Sequence, residues 1–501
     1  MINFFIKFIL IFLIVFTPIA FGSIELWAFS IMELGILLVI ILSVFKNLFS
    51  PNSELRTPNS PPSVAPVLPG RRTGELKTFD SQLNTLNSPL TIFLLSLFLL
   101  LILFQLLPLP SGLLKILSPK TYALRSALSF EPSALSFPLS FFPFATQVEF
   151  FKWLTLIGLF FLLLRSRLLD DKYRVTHQLI IAIMLVGVAE SLYGMFEFFS
   201  GHKYILNLDM ETKIASVTGT FINRNYFAGY LLMVIPLSVG FLFSREATQI
   251  NRFRGWRERL VSLDGKTLLI GFCVIVMILG LLFSASRMGI ASLLLSFTLL
   301  SLLFRSPSKE HKFSRTSILI LGLALLWAAW IGLDFVISRF LTSSEDFKGR
   351  WVFWVNTFQI FKDFPIFGSG LGTFAWVFPM YRSFHLIGVA THAENDYLQL
   401  ASEVGMVGIG LLLILFLFLL YKAIFGIRSL SHRESVRYIG IGGLVGILAL
   451  MFHSIVERNI QVPSNAFLYT ILWAIVLRIS LRGVNRRHDP INAVNSTNAK
   501  Q

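Results

Sequence analysis

The sequence predicts an all-α integral membrane protein of about 12 transmembrane helices, and three observations carry that prediction. Of 501 residues, 55% are hydrophobic and only 14% charged, whereas soluble domains carry roughly 25% charged residues. The apolar residues fall in long runs separated by short polar stretches, the pattern of membrane-spanning helices. The basic residues gather in alternate loops, as the positive-inside rule requires. Mean hydropathy is +0.73, and the 51 phenylalanines suit a surface packed against lipid.

Spans are expected at 3–21, 25–45, 91–108, 149–165, 176–199, 225–243, 267–283, 288–305, 317–336, 400–424, 438–456 and 464–481. The first run is not read as a signal peptide, because its charged start is poor and a second apolar run follows after Gly22-Ser23-Ile24-Glu25. One set of alternate loops holds Lys46, Arg56, Arg71, Arg72 and Lys77, then Arg165, Arg167, Lys172 and Arg174. It continues through Arg245–Lys266, Arg305–Arg315, Arg428–Arg437 and the tail with Arg482, Arg486 and Arg487. The opposite loops are poorer in basic residues, which places both termini in the cytoplasm. The net charge of +16 is therefore a topology signal and gives no nucleic-acid-binding stripe. Cys273 has no second cysteine to pair with.

Two connections are not tight turns. Residues 46–90 are rich in Pro, Ser and Asn and read as a disordered cytoplasmic linker. Residues 337–399 hold Trp, Phe, Tyr, Gly and His, a composition that can fold, and they fall on the non-cytoplasmic side. The chain thus divides into N-terminal helices over 1–174, a membrane core over 175–481 that includes the loop 337–399, and a basic cytoplasmic tail over 482–501.

Ionisable groups beside the ends of spans are costly and so mark candidate chemistry. Four segments qualify: Gly219–Tyr226 with Arg224, Ser284–Gly289 with Arg287, Gly349-Arg350-Trp351, and His392-Ala393-Glu394-Asn395-Asp396-Tyr397. A fifth joins His453 with Glu457 and Arg458. Each has a bland alternative: Arg224 snorkelling to headgroups, Arg350 anchoring at the interface, Glu457 pairing with its neighbour Arg458, or His392 capping a helix. Gly368, Gly370 and Gly372 have the spacing of a phosphate loop, but no strand precedes them, and a turn between helices is the expected reading. Taken together, three arginines and a carboxylate/imidazole pair fall on one side. Guanidinium forks suit phosphate oxygens, and a neighbouring carboxylate or imidazole can accept a hydroxyl proton. That is transferase chemistry with a phosphate leaving group.

On these residues the chain resembles the O-antigen ligase and polymerase superfamily over roughly 175–475. The carrying motifs are Gly-Thr-Phe-Ile-Asn-Arg-Asn-Tyr-Phe-Ala-Gly (219–229), Ser-Ala-Ser-Arg (284–287), Asp363 to Phe374 through Gly-Ser-Gly-Leu-Gly, and Glu394-Asn395 to Gly405 and Gly408. The resemblance implies a GT-C-like helical fold with a large, partly helical periplasmic loop, in the bacterial inner membrane. It implies transfer or polymerisation of glycan from an undecaprenyl-pyrophosphate carrier onto a glycan, lipid or protein acceptor, with no metal or other cofactor. Arg287 and Arg350, with Arg224, would hold the pyrophosphate; Asn395 and Glu457 would line the same substrate site. The ligase motif places a His before the Asn, nine residues ahead of Gly-x-x-Gly; here that position is Glu394. Glu394 is therefore the first choice for the base, with His392 as the substitute. The competing classes are a polytopic transporter of the bicarbonate type and a non-catalytic envelope-assembly protein. A transporter should bury its charges near the bilayer midplane, whereas an enzyme of this kind should converge them on one cavity.

Overall fold

The computed structural model describes residues 2–49, 89–127, 136–165, 174–201, 204–209, 216–249, 264–304, 343–385, 389–431 and 434–488. Among the described residues, twelve long helices run in order: α1 (Ile2–Ile19), α2 (Leu26–Phe49), α3 (Pro89–Leu106), α4 (Pro143–Arg165), α5 (Arg174–Ser200) and α6 (Arg224–Gln249). They continue as α7 (Gly265–Phe283), α8 (Arg287–Leu303), α9 (Ser343–Asp363), α10 (Asp396–Ser429), α11 (Ser435–His453) and α12 (Pro463–His488). Strand is confined, among the described residues, to two small antiparallel pairs. The protein is an all-α integral membrane protein.

Ten of these helices are long and apolar enough to cross a membrane; α8, at 17 residues, is a shorter apolar helix, and α9 is not a span. The expected span 317–336, most of the linker 46–90 and the end of the tail lie outside the described residues. The fourth span begins at Pro143, six residues before the expected 149, because Thr146 is polar yet buried: its Oγ1 donates to the Leu371 carbonyl at 2.8 Å.

Helix α6 forms the centre, buried along its whole apolar window. Glycines bring α11 against it backbone to backbone. A Cβ on Gly442 would stand 2.4 Å from the Pro236 carbonyl, and one on Gly240 would stand 2.4 Å from that of Tyr438. Lipid offers no hydrophobic drive for one helix to leave it for another, so such close approach supplies the van der Waals attraction between spans.

Helix α10 is broken at Gly405, whose φ of 65° and ψ of −170° are not helical. In hydrocarbon a break leaves backbone groups that must find partners. The segment 365–371 supplies them. Met406 N–H donates to the Pro365 carbonyl at 2.8 Å, while Ser369 and Gly370 N–H donate to the carbonyls of Ser402 and Glu403, each at 3.0 Å. From α3, Gln105 donates to the carbonyls of Phe367 (2.6 Å) and Glu403 (2.9 Å) and accepts from Leu371 N–H (3.0 Å). The loop after α9 is thereby sewn into the bundle, and its own small core of Ile360, Phe364, Phe374, Val377, Phe378 and Ala393 folds over one end of the spans.

Replacing Gly442 with Leu should separate α6 from α11 and destabilise the protein by roughly 1–3 kcal/mol, as overpacking does. Thermal unfolding in detergent checks this; an unchanged midpoint would contradict the close-packed pair.

Candidate functional site

The end of the bundle covered by α9 and its loop is where the sequence-predicted residues meet. Asn395 caps α10, its Oδ1 accepting from Leu398 N–H at 2.9 Å, the usual way an Asn satisfies an orphan donor at a helix start. Asp396, fully inside, accepts from Asn459 N–H (2.8 Å) and Ile460 N–H (2.7 Å), and its own N–H donates to the Ser454 carbonyl (3.1 Å). One buried carboxylate thus staples the connection between α11 and α12 beneath the start of α10. It fixes Glu457 and Arg458 relative to Glu394.

Glu457 and Arg458 do not pair with each other as neighbours. Glu457 Oε1 meets Arg350 of α9 at 2.5 Å, and Arg350 also donates to the Val456 carbonyl at 3.0 Å. Arg458 donates to His392 Nε2 and lies 5.9 Å from the centre of the Tyr226 ring. A guanidinium only donates, so Nε2 must accept, which assigns the proton of neutral His392 to Nδ1. That Nδ1 is buried with no hydrogen-bond partner. Burial first, and the Arg458 charge second, hold His392 well below the usual imidazole range.

Glu394 has a φ of 51°, a left-handed conformation that costs a non-glycine residue energy and often marks functional positions. Trp354 of α9 donates to its carbonyl at 3.4 Å. Its carboxyl faces Glu457, Arg350 and Arg458; burial raises its pKa against the pull of both arginines. Burial likewise pushes Glu457 up to about 7, opposed by Arg350 and reinforced by Glu394. Asn225 also faces Glu457, yet Glu457 Oε2 has no hydrogen-bond partner of normal geometry.

Arg224 opens α6, next to Asn225 and Tyr226 of the cluster. Arg287 opens α8, after the Ser-Ala-Ser turn in which Ala285 is also left-handed (φ 49°). Ser286 Oγ and His453 Nε2 are 3.4 Å apart, and His453 Nδ1 meets the Asn459 amide at 3.1 Å, which ties that turn to the stapled segment. The glycine run 368–372 is a turn: all three glycines have positive φ. Its donors are occupied, since Glu403 accepts from Gly372 N–H (2.9 Å) and Phe374 N–H (3.2 Å).

Arg458, Asp396 and Tyr226 are the residues that sequence reasoning underrated. A carboxylate directly after a helix-capping Asn was the available signal for Asp396. Nothing in the sequence singles out Arg458 as the partner of His392. Among the described residues no group of three or more His, Cys, Asp or Glu is placed to hold a metal ion.

Among the described residues, the carboxylates embedded in the spans keep to the same end, with Lys152 beside them. Glu33, Glu149, Lys152, Glu190 and Glu403 all lie within ten residues of that end of their helices, the farthest being Glu190 before Ser200, or roughly 15 Å. Basic groups lie toward the opposite end as well: Arg437 is buried there, Arg478 donates to the carbonyls of Leu163 and Leu164, and Lys7 stands in the first turns of α1.

Fold and cluster together define a polytopic helical membrane protein with a charged site at one end of its spans. Residues 272–413 match the family described as O-antigen ligase, a likeness that supports the O-antigen ligase/polymerase superfamily for this segment. The matched stretch contains Arg287, Arg350, His392, Glu394 and Asn395; Arg224, Glu457 and Arg458 fall outside it. No curated protein matches the chain.

Asp396→Ala should leave the N–H groups of Asn459 and Ile460 unpaired, at roughly 1–3 kcal/mol each. Asp396→Asn, which keeps an acceptor, should recover part of that loss. Thermal unfolding of both variants in detergent measures the difference, and equal midpoints for Ala and Asn would rule out the staple.

Proposed function

We propose that this chain transfers glycan from a lipid-linked pyrophosphate carrier, of the undecaprenyl type, to an acceptor hydroxyl at the periplasmic face of the bacterial inner membrane. Both termini are then cytoplasmic, as the loop charges indicate. The observation that carries this reading is the meeting of Glu394, Arg350 and Arg458 in one cluster, with Arg224 and Arg287 opening helices beside it. The family match supports an O-antigen ligase/polymerase-type role and lipid-linked glycan substrates.

In this mechanism the carrier pyrophosphate lies at the arginines, Arg287 and Arg224 together with Arg350. The acceptor oxygen attacks the anomeric carbon, the carbon–oxygen bond to the pyrophosphate breaks, and the bonding pair leaves with the carrier. Glu394 takes the hydroxyl proton. A general base contributes about 10²–10⁴-fold to such a step. Between the two candidate bases the geometry favours Glu394, since the lone pair of His392 Nε2 already faces Arg458. His392 is left to donate from Nδ1, suited to a sugar or phosphate oxygen. Charge builds on the leaving pyrophosphate, and fixed guanidinium groups stabilise that charge without reorganising.

The transporter reading fits the arrangement less well. It calls for charges at the midplane on the way across, whereas the embedded carboxylates here crowd one end. A non-catalytic assembly role gives no reason to hold Glu394 in a strained conformation against two arginines.

Arg287→Ala should lower transfer at least about 10²-fold, the scale of losing one oxyanion-stabilising donor, while the protein still inserts and elutes as wild type. Full activity of that variant would refute the assignment. Deleting the gene and analysing surface glycans with carrier lipids identifies the acceptor class: single lipid-linked repeats accumulate if the enzyme is a polymerase, and long lipid-linked chains if it is a ligase. No glycan change at all would return the transporter or assembly role.

A further inference from the structure

The pairing of Arg350 raises a question that the transfer reading leaves open. Two of its donor nitrogens are already taken, one by Glu457 Oε1 at 2.5 Å and one by the Val456 carbonyl at 3.0 Å. An arginine so neutralised is a poor clamp for a pyrophosphate. Glu457, in turn, is 2% exposed and has its second oxygen buried without a partner of normal geometry. The Glu394 carboxyl is its like-charged neighbour.

We propose that Glu394 and Glu457 act as one acid–base unit holding a single proton between them, and that filling the unit with a second proton releases Arg350 to the leaving group. This rests on the transfer reading and deepens it: Glu394 is the catalytic base, and Glu457 is a positioning residue that acts through Arg350.

The charge sum explains why the coupling is useful. Two neighbouring carboxyl groups, Glu457 buried and Glu394 half-buried, do not both ionise readily, so the resting unit carries one negative charge opposite the two guanidinium groups of Arg350 and Arg458. When the acceptor hydroxyl gives up its proton, the unit becomes neutral. Arg350 then has no counter-ion, and the cluster gains one net positive charge as the carbon–oxygen bond breaks and the pyrophosphate becomes most negative. The atoms balance: the proton moves from acceptor to carboxylate, the acceptor oxygen bonds to the anomeric carbon, and the bonding pair departs with the carrier. Loss of the proton to water after release resets the unit and recaptures Arg350.

The groups facing the pair are few. Arg350 comes from α9, Arg458 from the α11–α12 connection, and Asn225 and Tyr226 from the start of α6; His453 lies behind Arg350. Of these, only Arg350 touches Glu457 as a charge partner in the described structure. Burial raises both carboxyls, so the proton-accepting form is lost as pH falls while still above the usual carboxylate range. Transfer should therefore show an acid limb above the usual carboxylate range, a macroscopic property of the pair and not of either residue.

The test is the pH profile of transfer in membrane vesicles from a deletion strain, charged with the lipid-linked glycan that accumulates there and carrying full-length variants. Glu394→Gln should lose about 10²-fold or more at every pH. Glu457→Gln removes the like-charged neighbour and leaves Arg350 beside Glu394 alone. Its acid limb should move down by about one pH unit or more. Arg350→Gln removes the opposing cation and should move the limb up, which keeps the test in force if the Glu457 variant fails to fold. If Glu394→Gln abolishes transfer while the other two variants keep the wild-type profile, the shared proton is refuted and the transfer reading stands. If Glu394→Gln transfers normally, or nothing lipid-linked accumulates, the transfer reading itself fails.

Discussion

A polar group taken into an apolar slab must bring its partners with it, and the site end of this protein is organised by that constraint. Asp396 enters the bundle at the head of α10 and draws in the N–H groups of Asn459 and Ile460. Gly405 breaks the same helix, and the carbonyls and amides freed there are met by residues 365–371 and by Gln105 of α3. Each satisfied group fixes a stretch of chain that has no regular structure of its own. The loop above the spans is therefore set in place from below, by hydrogen bonds inside the membrane end of the bundle.

Charge balance does the rest. Arg350 reaches down from α9 to Glu457, and Arg458 turns to His392 instead of its neighbour. These crossed pairings connect three segments far apart in the chain: α9, the approach to α10, and the α11–α12 connection. A buried ion pair of this kind adds little net stability, because desolvation offsets the attraction. Its consequence is geometric, since it keeps two carboxyls and two guanidinium groups within reach of each other at one end of the spans.

The helices outside the matched family segment support the same arrangement. Thr146 of α4 holds the Leu371 carbonyl, and Phe141 N–H donates to Ser369 at 2.8 Å. Glu190 of α5 accepts from Thr220 N–H at 2.7 Å and from its hydroxyl at 2.8 Å, which seats the loop leading into Arg224. The N-terminal part of the chain is thus a frame for the core as well as a membrane anchor.

Several features were legible in the residues alone. Apolar run length set the spans, because hydrocarbon thickness admits few other solutions. Gly368, Gly370 and Gly372 announced a turn, Asn395 announced a helix start, and the charges beside span ends announced the site. Span boundaries drifted where polar residues such as Thr146 were buried by partners that no local window can see. Which arginine would meet which carboxylate was likewise beyond the sequence: Glu457 adjoins Arg458 in the chain but faces Arg350 in space. Hydrophobic periodicity is a local property and fixes the helices one by one. Pair choice depends on how those helices are rotated and stacked, and only the packed bundle, with its glycine contacts and its stapled loop, decides that.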